Sequence, residues 1–251
     1  MSRRYLGLGR DQGQTKHRRE GMVENTPESW GCQQVTCPWQ EHWLNQLHRD
    51  RVIAVVRVPQ LALGVTLAQA LAAGGIRQIE VTWNSDRPTQ LLQQLTTQLP
   101  DCVIGAGTIL TPAMAAAAIA AGAQFLFSPH LEPGLIQAAT GAQIPIVPGA
   151  FSPTEIVTAW QAGATAVKVF PMQTLGGDAY VRALQGPLGH IPLIPTGGVT
   201  RANTPDLLQA GAIAVGLSTD LMPKAAIAQQ NWDEITRRSR QLVTQIQALN
   251  Q

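Results

Sequence analysis

The stretch Gly163-Ala-Thr-Ala-Val-Lys-Val-Phe-Pro-Met172 places one lysine inside an otherwise apolar run. In a strand, Lys168 shares one face with Ala166 and Phe170, and the opposite face is also small or apolar. A strand with apolar residues on both faces is typical of a parallel sheet that is covered on both sides. The sequence therefore predicts a buried parallel strand that carries a lysine.

A lysine in such a strand points to chemistry, because lysine is almost never buried without a reason. Desolvation lowers the pKa of the amine from about 10.4 towards about 7–8, where a useful fraction is neutral. A neutral amine at the end of a buried strand can attack a ketone and form a Schiff base. Of the three lysines, Lys16, Lys168 and Lys224, only Lys168 lies in such a run. We interpret it as a Schiff-base lysine; the alternative is a lysine that reaches the barrel rim or pairs with a carboxylate.

The composition predicts one large core and a basic tail. The chain has 251 residues, of which 45% are hydrophobic, and one α/β barrel needs about 250 residues. Residues 1–21 hold six of the 18 basic and two of the 16 acidic residues, which leaves 12 basic and 14 acidic residues in the remainder. Because the basic excess is confined to the tail, we predict no nucleic-acid partner.

The sequence also indicates the compartment. No apolar run reaches the roughly 18 residues of a membrane span, and the N-terminus lacks the apolar core of a signal peptide. Cys32, Cys37 and Cys102 are odd in number and lack paired metal-ligand spacing. We therefore expect a cytoplasmic protein with no disulfide framework, no metal or other cofactor and no membrane association.

Residues 1–40 differ from the remainder of the chain. They are polar and lack periodicity, which predicts a flexible N-terminal extension. A short amphipathic helix is expected over about 41–49, with Trp43 and Leu47 on its apolar side. We predict a single barrel domain over residues 41–251.

An alternation of strands and helices begins at Val52. The expected strands cover 52–57, 76–82, 102–106, 124–127, 144–147, 164–169, 191–195 and 213–217. The helix after the fifth strand opens with a capping box, Ser152-Pro-Thr-Glu155. Ala-Gly pairs at the ends of four helices are typical of glycine caps. Eight strand–helix units with short connections predict a (β/α)8 TIM barrel.

In such barrels the chemistry lies where the strands end. Glu80 lies within the second strand, and a carboxylate buried there needs a partner or a function. Beside a Schiff-base lysine it could shuttle protons to the carbinolamine and to the substrate hydroxyl. The alternative is an ion pair with Arg57 that fixes the strand register, and the two interpretations are compatible.

Two glycine loops follow the seventh and eighth strands, Pro195-Thr-Gly-Gly198 and Gly216-Leu-Ser218. Such barrels commonly bind phosphate at these two loops through backbone N–H groups. Because glycine lets the backbone approach an anion closely, the two loops together predict a phosphorylated substrate.

Two further loops allow more than one interpretation. Gly105-Ala-Gly-Thr108 after the third strand could place a hydroxyl and N–H groups against a carboxylate, or it could be an ordinary turn. His130, in Ser128-Pro-His130 after the fourth strand, could contact substrate or cap a helix.

Taken in this order, the motifs resemble the 2-keto-3-deoxy-6-phosphogluconate (KDPG) and 4-hydroxy-2-oxoglutarate (KHG) aldolase family over about residues 45–225. The resemblance is carried by Val55-Val-Arg57, Gly75-Ile-Arg-Gln-Ile-Glu-Val-Thr82, Gly105-Ala-Gly-Thr108, Phe127-Ser-Pro129, Pro148-Gly149, Gly163 to Pro171 and Pro195-Thr-Gly-Gly198. It implies a class I aldolase that is a homotrimer of barrels and needs no metal. The implied reaction is reversible cleavage of KDPG to pyruvate and glyceraldehyde 3-phosphate.

The resemblance also implies roles for individual residues. Lys168 would form the Schiff base, and Glu80 would be the general acid and base. The substrate-binding residues would be Arg57 and Thr108 at the pyruvate end, Gly197, Gly198 and Ser218 at the phosphate, and Pro129, Phe170 and Thr196 elsewhere in the site. We add Asn84 as a further substrate-binding residue.

One departure from the family concerns Asn84. The family motif usually continues Glu-Val-Thr-Leu-Arg, and its arginine helps to bind the pyruvate carboxylate, whereas this chain has Glu80-Val-Thr-Trp-Asn84. Asparagine can donate hydrogen bonds to a carboxylate, but without charge assistance. The Asn84-Ser85 pair is more similar to 2-keto-3-deoxy-6-phosphogalactonate aldolases. The alternatives are therefore that galactonate substrate, KHG, or a phosphate-binding barrel without catalysis.

Overall fold

Nine short parallel strands form a ring in the computed structural model, which describes residues 37–249. The strands are β1 (Val52–Val56), β2 (Gln78–Thr82), β3 (Val103–Gly107), β4 (Leu126–Phe127), β5 (Ile146–Val147), β6 (Gly149–Ala150), β7 (Val167–Val169), β8 (Leu193–Pro195) and β9 (Val215–Leu217). Pro148 separates β5 from β6, so these two are halves of the predicted fifth strand. Most of the predicted N-terminal extension lies outside the described residues.

The ring closes through backbone hydrogen bonds. One sheet has the order β5-β4-β3-β2-β1-β9 and a second has the order β6-β7-β8, and all the strand pairs are parallel. A bridge between Thr196 and Gly216 joins the two sheets, and the Ile213 N–H donates to the Leu193 carbonyl at 3.1 Å. The predicted (β/α)8 barrel is therefore confirmed.

Helices cover the outside of the ring. Within residues 37–249 they are α1 (Pro38–Asp50), α2 (Leu61–Ala73), α3 (Pro88–Gln98), α4 (Pro112–Ala120), α5 (Pro133–Gly141), α6 (Pro153–Gln161), α7 (Met172–Leu175), α8 (Asp178–Leu188), α9 (Thr204–Gln209), α10 (Lys224–Ala228) and α11 (Trp232–Ala248). The capping box of α6 forms as predicted, because the Ser152 hydroxyl accepts from the Glu155 N–H and the Glu155 carboxylate accepts from the Ser152 N–H.

The observed elements differ from the predicted ones mainly at their ends. The sixth predicted strand begins at Val167 rather than at Ala164, although Ala164 and Ala166 are completely buried. Apolar periodicity reports burial, and burial extends beyond the residues that the strand itself includes. Helix α1 begins at Pro38, before the predicted start. Helix α7 directly follows Pro171 and was not predicted.

The barrel has a separate interior core that α1 closes at one end. Trp43 and Leu47 of α1 pack there against Phe125 and Phe127, and all four side chains are buried. Space for the aromatic rings comes from the neighbouring strand, since a Cβ atom on Gly105 would overlap the Phe125 ring. The interior therefore combines large side chains on one strand with glycine on the next.

We predict opposite effects for two glycine-to-alanine substitutions. Gly105→Ala should lower the free energy of unfolding by roughly 1–3 kcal/mol, because the added methyl group overpacks the interior. Gly186→Ala should raise it by about 0.5–1 kcal/mol, because alanine favours the helix. Gly186 lies in α8, where an added Cβ meets nothing within 4 Å. Urea denaturation of both variants checks this, and a stabilised Gly105→Ala variant would contradict the packing described here.

Candidate active site

A pocket of about 930 Å³ lies at the carboxyl ends of the barrel strands. It brings together ten of the eleven predicted site residues, and Asn84 is the exception. The ten are Arg57, Glu80, Thr108, Pro129, Lys168, Phe170, Thr196, Gly197, Gly198 and Ser218. Residues from separate strands therefore converge on one cavity, as expected where parallel strands end together.

Lys168 is held in the middle of β7 and is 6% exposed. Its backbone N–H donates to the Pro148 carbonyl at 2.9 Å. Its side-chain Nζ lies 4.7 Å from the centre of the Phe170 ring and 6.0 Å from that of Phe127. Burial lowers the pKa of the Lys168 amine from its usual 10.5; the charge of Glu80 acts in the opposite direction and that of Arg57 lowers it further. These surroundings favour the neutral, nucleophilic amine.

Glu80 lies in the middle of β2 and is 1% exposed. Its carboxylate packs against Gly107 of β3, where any Cβ atom would overlap it. The buried Oε2 atom has no hydrogen-bond partner among residues 37–249. Burial raises the pKa of the Glu80 carboxyl group, and the charges of Lys168 and Arg57 partly offset this. A carboxyl group with a raised pKa and an unused oxygen can both accept and donate a proton.

The two cations Lys168 and Arg57 and the Glu80 carboxylate form no ion pair with one another in the described part of the chain. Within residues 37–249, the ion pairs of 4.0 Å or less include neither Lys168 nor Glu80 nor Arg57. The Glu80–Arg57 ion pair that the sequence allowed is therefore not formed. Arg57 is exposed at the end of β1 and lines the pocket, where its guanidinium is free to bind an anion.

Thr108 has a backbone conformation that is unusual for its residue type. Its φ of 58° places a β-branched residue in the left-handed region, which costs roughly 1–3 kcal/mol and occurs mainly at functional sites. The neighbouring Ile109 N–H donates to the Phe127 carbonyl at 3.1 Å and ties the segment to β4. This conformation places Thr108 in the lining of the pocket.

The two glycine loops line the same pocket. Gly197 and Gly198 have φ values of 87° and 81°, which glycine adopts without strain. A Cβ atom on Gly198 would collide with Gln173 of α7, so this position requires glycine. Ser218 lines the pocket, but its hydroxyl donates to the Val55 carbonyl at 2.8 Å. Side-chain donation from Ser218 to a ligand would therefore compete with that bond.

Charged residues that were not assigned from the sequence also line the pocket. Asp220 accepts from the Arg201 side chain at 2.8 Å and from the Arg201 N–H at 3.0 Å. Lys224 at the start of α10 is exposed and also lines the pocket. Their place could have been inferred only from their position just after β9, since their residue types alone do not distinguish them from surface charges.

Asn84 and His130 do not reach the pocket. The Trp83 N–H donates to the Gly107 carbonyl at 2.7 Å, and the Ser85 N–H donates to the Thr82 carbonyl at 2.9 Å. This turn leaves Asn84 exposed. His130 is also exposed, and its Nδ1 lies 2.9 Å from the Ser128 hydroxyl. These hydrogen bonds bend the chain after β2. Asn84 therefore lies outside the pocket lining, where its place in the motif had suggested it would be found.

The described part of the chain lacks two kinds of feature. Among residues 37–249, no three His, Cys, Asp or Glu side chains are grouped so that they could hold a metal ion. The same residues include no helix with the length and apolar character needed to cross a membrane.

Known proteins are similar to this chain in both sequence and fold. The family described as KDPG and KHG aldolase matches residues 44–238. The KHG/KDPG aldolase of Escherichia coli K12 is 34% identical over 205 residues, which are 82% of this chain and 96% of that protein. The 2-dehydro-3-deoxy-phosphogluconate aldolase of Treponema pallidum is 36% identical over 195 residues, which are 78% of this chain and 93% of that protein.

Two solved structures extend the comparison. Legionella pneumophila KDPG aldolase, with pyruvate captured as a covalent carbinolamine, is 32% identical with a TM-score of 0.73, and the match covers 78% of this chain and 95% of that one. A native KDPGal structure is 28% identical with a TM-score of 0.73 and covers 79% and 95%. Sequence, fold and pocket agree, and the chain belongs to the KDPG and KHG aldolase family of lyases.

Proposed function

We propose that this protein cleaves KDPG reversibly to pyruvate and glyceraldehyde 3-phosphate through a Schiff base on Lys168. The observation that carries the proposal is the pairing, in one pocket, of a buried lysine with a buried carboxyl group that has an unused oxygen. The covalent pyruvate carbinolamine captured in the Legionella pneumophila relative supports the same type of intermediate.

The proposed mechanism begins with attack of the neutral Lys168 amine on the C2 ketone. The carbinolamine loses water and becomes an iminium, which withdraws electrons from the adjacent carbon. Glu80 removes the proton of the C4 hydroxyl, the C3–C4 bond breaks, and the electron pair forms an enamine as the aldehyde leaves. Protonation of the enamine at C3 and hydrolysis of the resulting iminium release pyruvate and regenerate the amine.

The two ends of the substrate match the two ends of the pocket. Arg57 and Thr108 supply a cation and a hydroxyl near the lysine, which suits the carboxylate of pyruvate. The glycine loop after β8 and the segment after β9 supply closely approachable backbone at the other end, which suits a phosphate. We assign no carboxylate contact to Asn84, because it lies outside the pocket lining.

KHG is the second candidate substrate, because the Escherichia coli relative is named for both substrates. It would undergo the same lysine chemistry but carries a carboxylate instead of the phosphate. The galactonate epimer of KDPG is a third candidate, supported by the KDPGal neighbour. A barrel without catalysis would have no reason to keep a buried unpaired lysine, so we rank that alternative last.

Assembly and location are inferred from the sequence. We infer a homotrimer from the family resemblance, and a cytoplasmic location from the pattern of cysteines. We infer no cofactor, since the lysine itself supplies the electron sink.

Lys168→Met should abolish turnover and also the borohydride-trapped pyruvate adduct. In the unsubstituted protein, peptide mass spectrometry should locate that adduct on the peptide that contains Lys168, and Lys224→Met should retain it there. No adduct on Lys168 at high pyruvate concentration would overturn the Schiff-base mechanism.

Lys168→Met should also change stability in a pH-dependent manner. Because burial lowers the pKa of this amine, the unfolded chain binds the proton more tightly than the folded chain, and stability rises with pH towards the usual lysine value. Methionine carries no proton, so the variant is free of the destabilisation that comes from burying a protonatable amine. Its melting temperature should therefore exceed that of the unsubstituted protein near pH 7. The difference should shrink as the pH approaches 10, which thermal denaturation at several pH values measures.

Glu80→Gln should keep the pyruvate adduct but slow turnover by roughly 10²–10⁴-fold, the usual contribution of acid–base catalysis. The amide has nearly the same shape but cannot exchange the proton. Glu132→Gln is the matched control, since its side-chain oxygen can still cap α5 and it lies outside the pocket lining. Steady-state kinetics that showed equal rates for Glu80→Gln and the unsubstituted protein would exclude the assigned role.

The substrate assignment predicts a preference for phosphorylated compounds. We expect kcat/KM to be at least tenfold higher for KDPG than for KHG, since about 1.4 kcal/mol of phosphate binding gives that ratio. Coupled assays of pyruvate release from KDPG, its galactonate epimer and KHG make the comparison. Equal kcat/KM values for KDPG and KHG would contradict the preference for KDPG and indicate an aldolase that uses both substrates.

A further inference from the structure

A continuous row of aromatic rings connects α1 with the lysine of the pocket. The Trp43 ring lies 5.4 Å from the Phe125 ring, and the Phe125 ring lies 5.7 Å from that of Phe127 in an edge-on arrangement. The Phe127 ring centre lies 6.0 Å from Lys168 Nζ. Trp43 is 3% exposed, and the two phenylalanines are buried almost completely. The far end of the barrel is thus linked to the reacting amine by direct packing.

Helix α1 is also attached to the segment that leads into β7. The Gln40 side-chain amide donates to the Thr165 hydroxyl at 3.2 Å and to the Gly163 carbonyl at 3.3 Å. The same Thr165 hydroxyl accepts from the Ile146 N–H at 3.3 Å. Because Thr165 precedes Lys168 by three residues, α1 holds both the aromatic row and the chain that carries the amine.

The aromatic row is held in place while Trp43 fills its end and can rearrange only when that side chain is lost. Gly105 lies against the Phe125 ring and leaves no room for a Cβ atom, so the ring is confined on the side of β3. Protein interiors are packed as densely as organic crystals, and loss of a large side chain lets its neighbours relax into the cavity. Without the indole, Phe125 and then Phe127 would shift towards α1, away from Lys168.

We propose that Trp43 is a positioning residue for Lys168: through Phe125 and Phe127 it keeps the amine packed and shielded from water. The proposal rests on the Schiff-base function proposed above, because only a neutral amine needs this shielding. The charged groups that act on the amine are Glu80 of β2 and Arg57 at the end of β1. Neither belongs to the aromatic row, so their effect stays constant when Trp43 is changed.

Trp43→Leu should move the protonation midpoint of Lys168 upwards, because a shift of Phe127 lets water from the pocket reach the amine. The midpoint is measured from the pH dependence of Lys168 acetylation by acetic anhydride, read by peptide mass spectrometry. A rise of about one pH unit leaves about tenfold less neutral amine near pH 7, and pyruvate adduct formation should slow by the same factor. Trp43→Phe keeps an aromatic ring, so its Lys168 midpoint should lie closer to that of the unsubstituted protein than to that of Trp43→Leu.

Two further variants separate positioning from general destabilisation. Leu91→Ala removes a fully buried side chain from the outer core and should leave the Lys168 midpoint unchanged. Phe127→Leu removes the ring beside the amine and should raise the midpoint even if Trp43→Leu does not fold. An unchanged midpoint in Phe127→Leu and in folded Trp43→Leu, or an equal rise in Leu91→Ala, would overturn the proposal. The acetylation midpoint requires no turnover, so a protein that forms no pyruvate adduct would refute the proposed function without affecting this test.

Discussion

The structure depends on keeping two ionisable groups inside one barrel without joining them in an ion pair. Lys168 and Glu80 are both nearly inaccessible to water, and burial disfavours the charged form of each. A direct salt bridge would offset that penalty, but it would also occupy the amine and the carboxyl group. The barrel instead tolerates the penalty because strand hydrogen bonds hold β2 and β7 rigidly in one ring. The proposed reactivity therefore depends on the scaffold as much as on the two residues.

Room for these groups comes from uneven use of the barrel interior. Gly105 and Gly107 of β3 leave space for the Phe125 ring on one side and for the Glu80 carboxylate on the other. Gly216 of β9 is similarly close to Thr196. Glycine on one strand thus faces a larger side chain from a neighbouring segment. This arrangement allows a densely packed core and an open pocket within one small ring.

Much of this arrangement could be predicted from the sequence, because it depends on local order along the chain. The rhythm of strands and helices identified the barrel, and position at the strand ends brought Lys168 and the glycine loops to one pocket. Contacts between distant segments could not be predicted in this way. The motif Gly105-Ala-Gly-Thr108 allowed two interpretations, donors placed against a carboxylate or an ordinary turn, and neither predicted that its glycines leave room for the Glu80 and Phe125 side chains. Asn84 stays a predicted binding residue; it lies outside the pocket lining, in a turn whose hydrogen bonds strand alternation does not predict.

The junction between β8 and β9 is a short seam in the ring. It depends on the bridge between Thr196 and Gly216 and on one further backbone hydrogen bond, whereas β1, β2 and β3 share longer ladders. The loops that leave the two sides of this seam are those that face the anionic end of the proposed substrate. A ligand held by both loops at once would act as a clasp across the seam. Occupancy of the pocket would then reinforce the closure of the barrel, so that substrate binding and resistance to unfolding rise together.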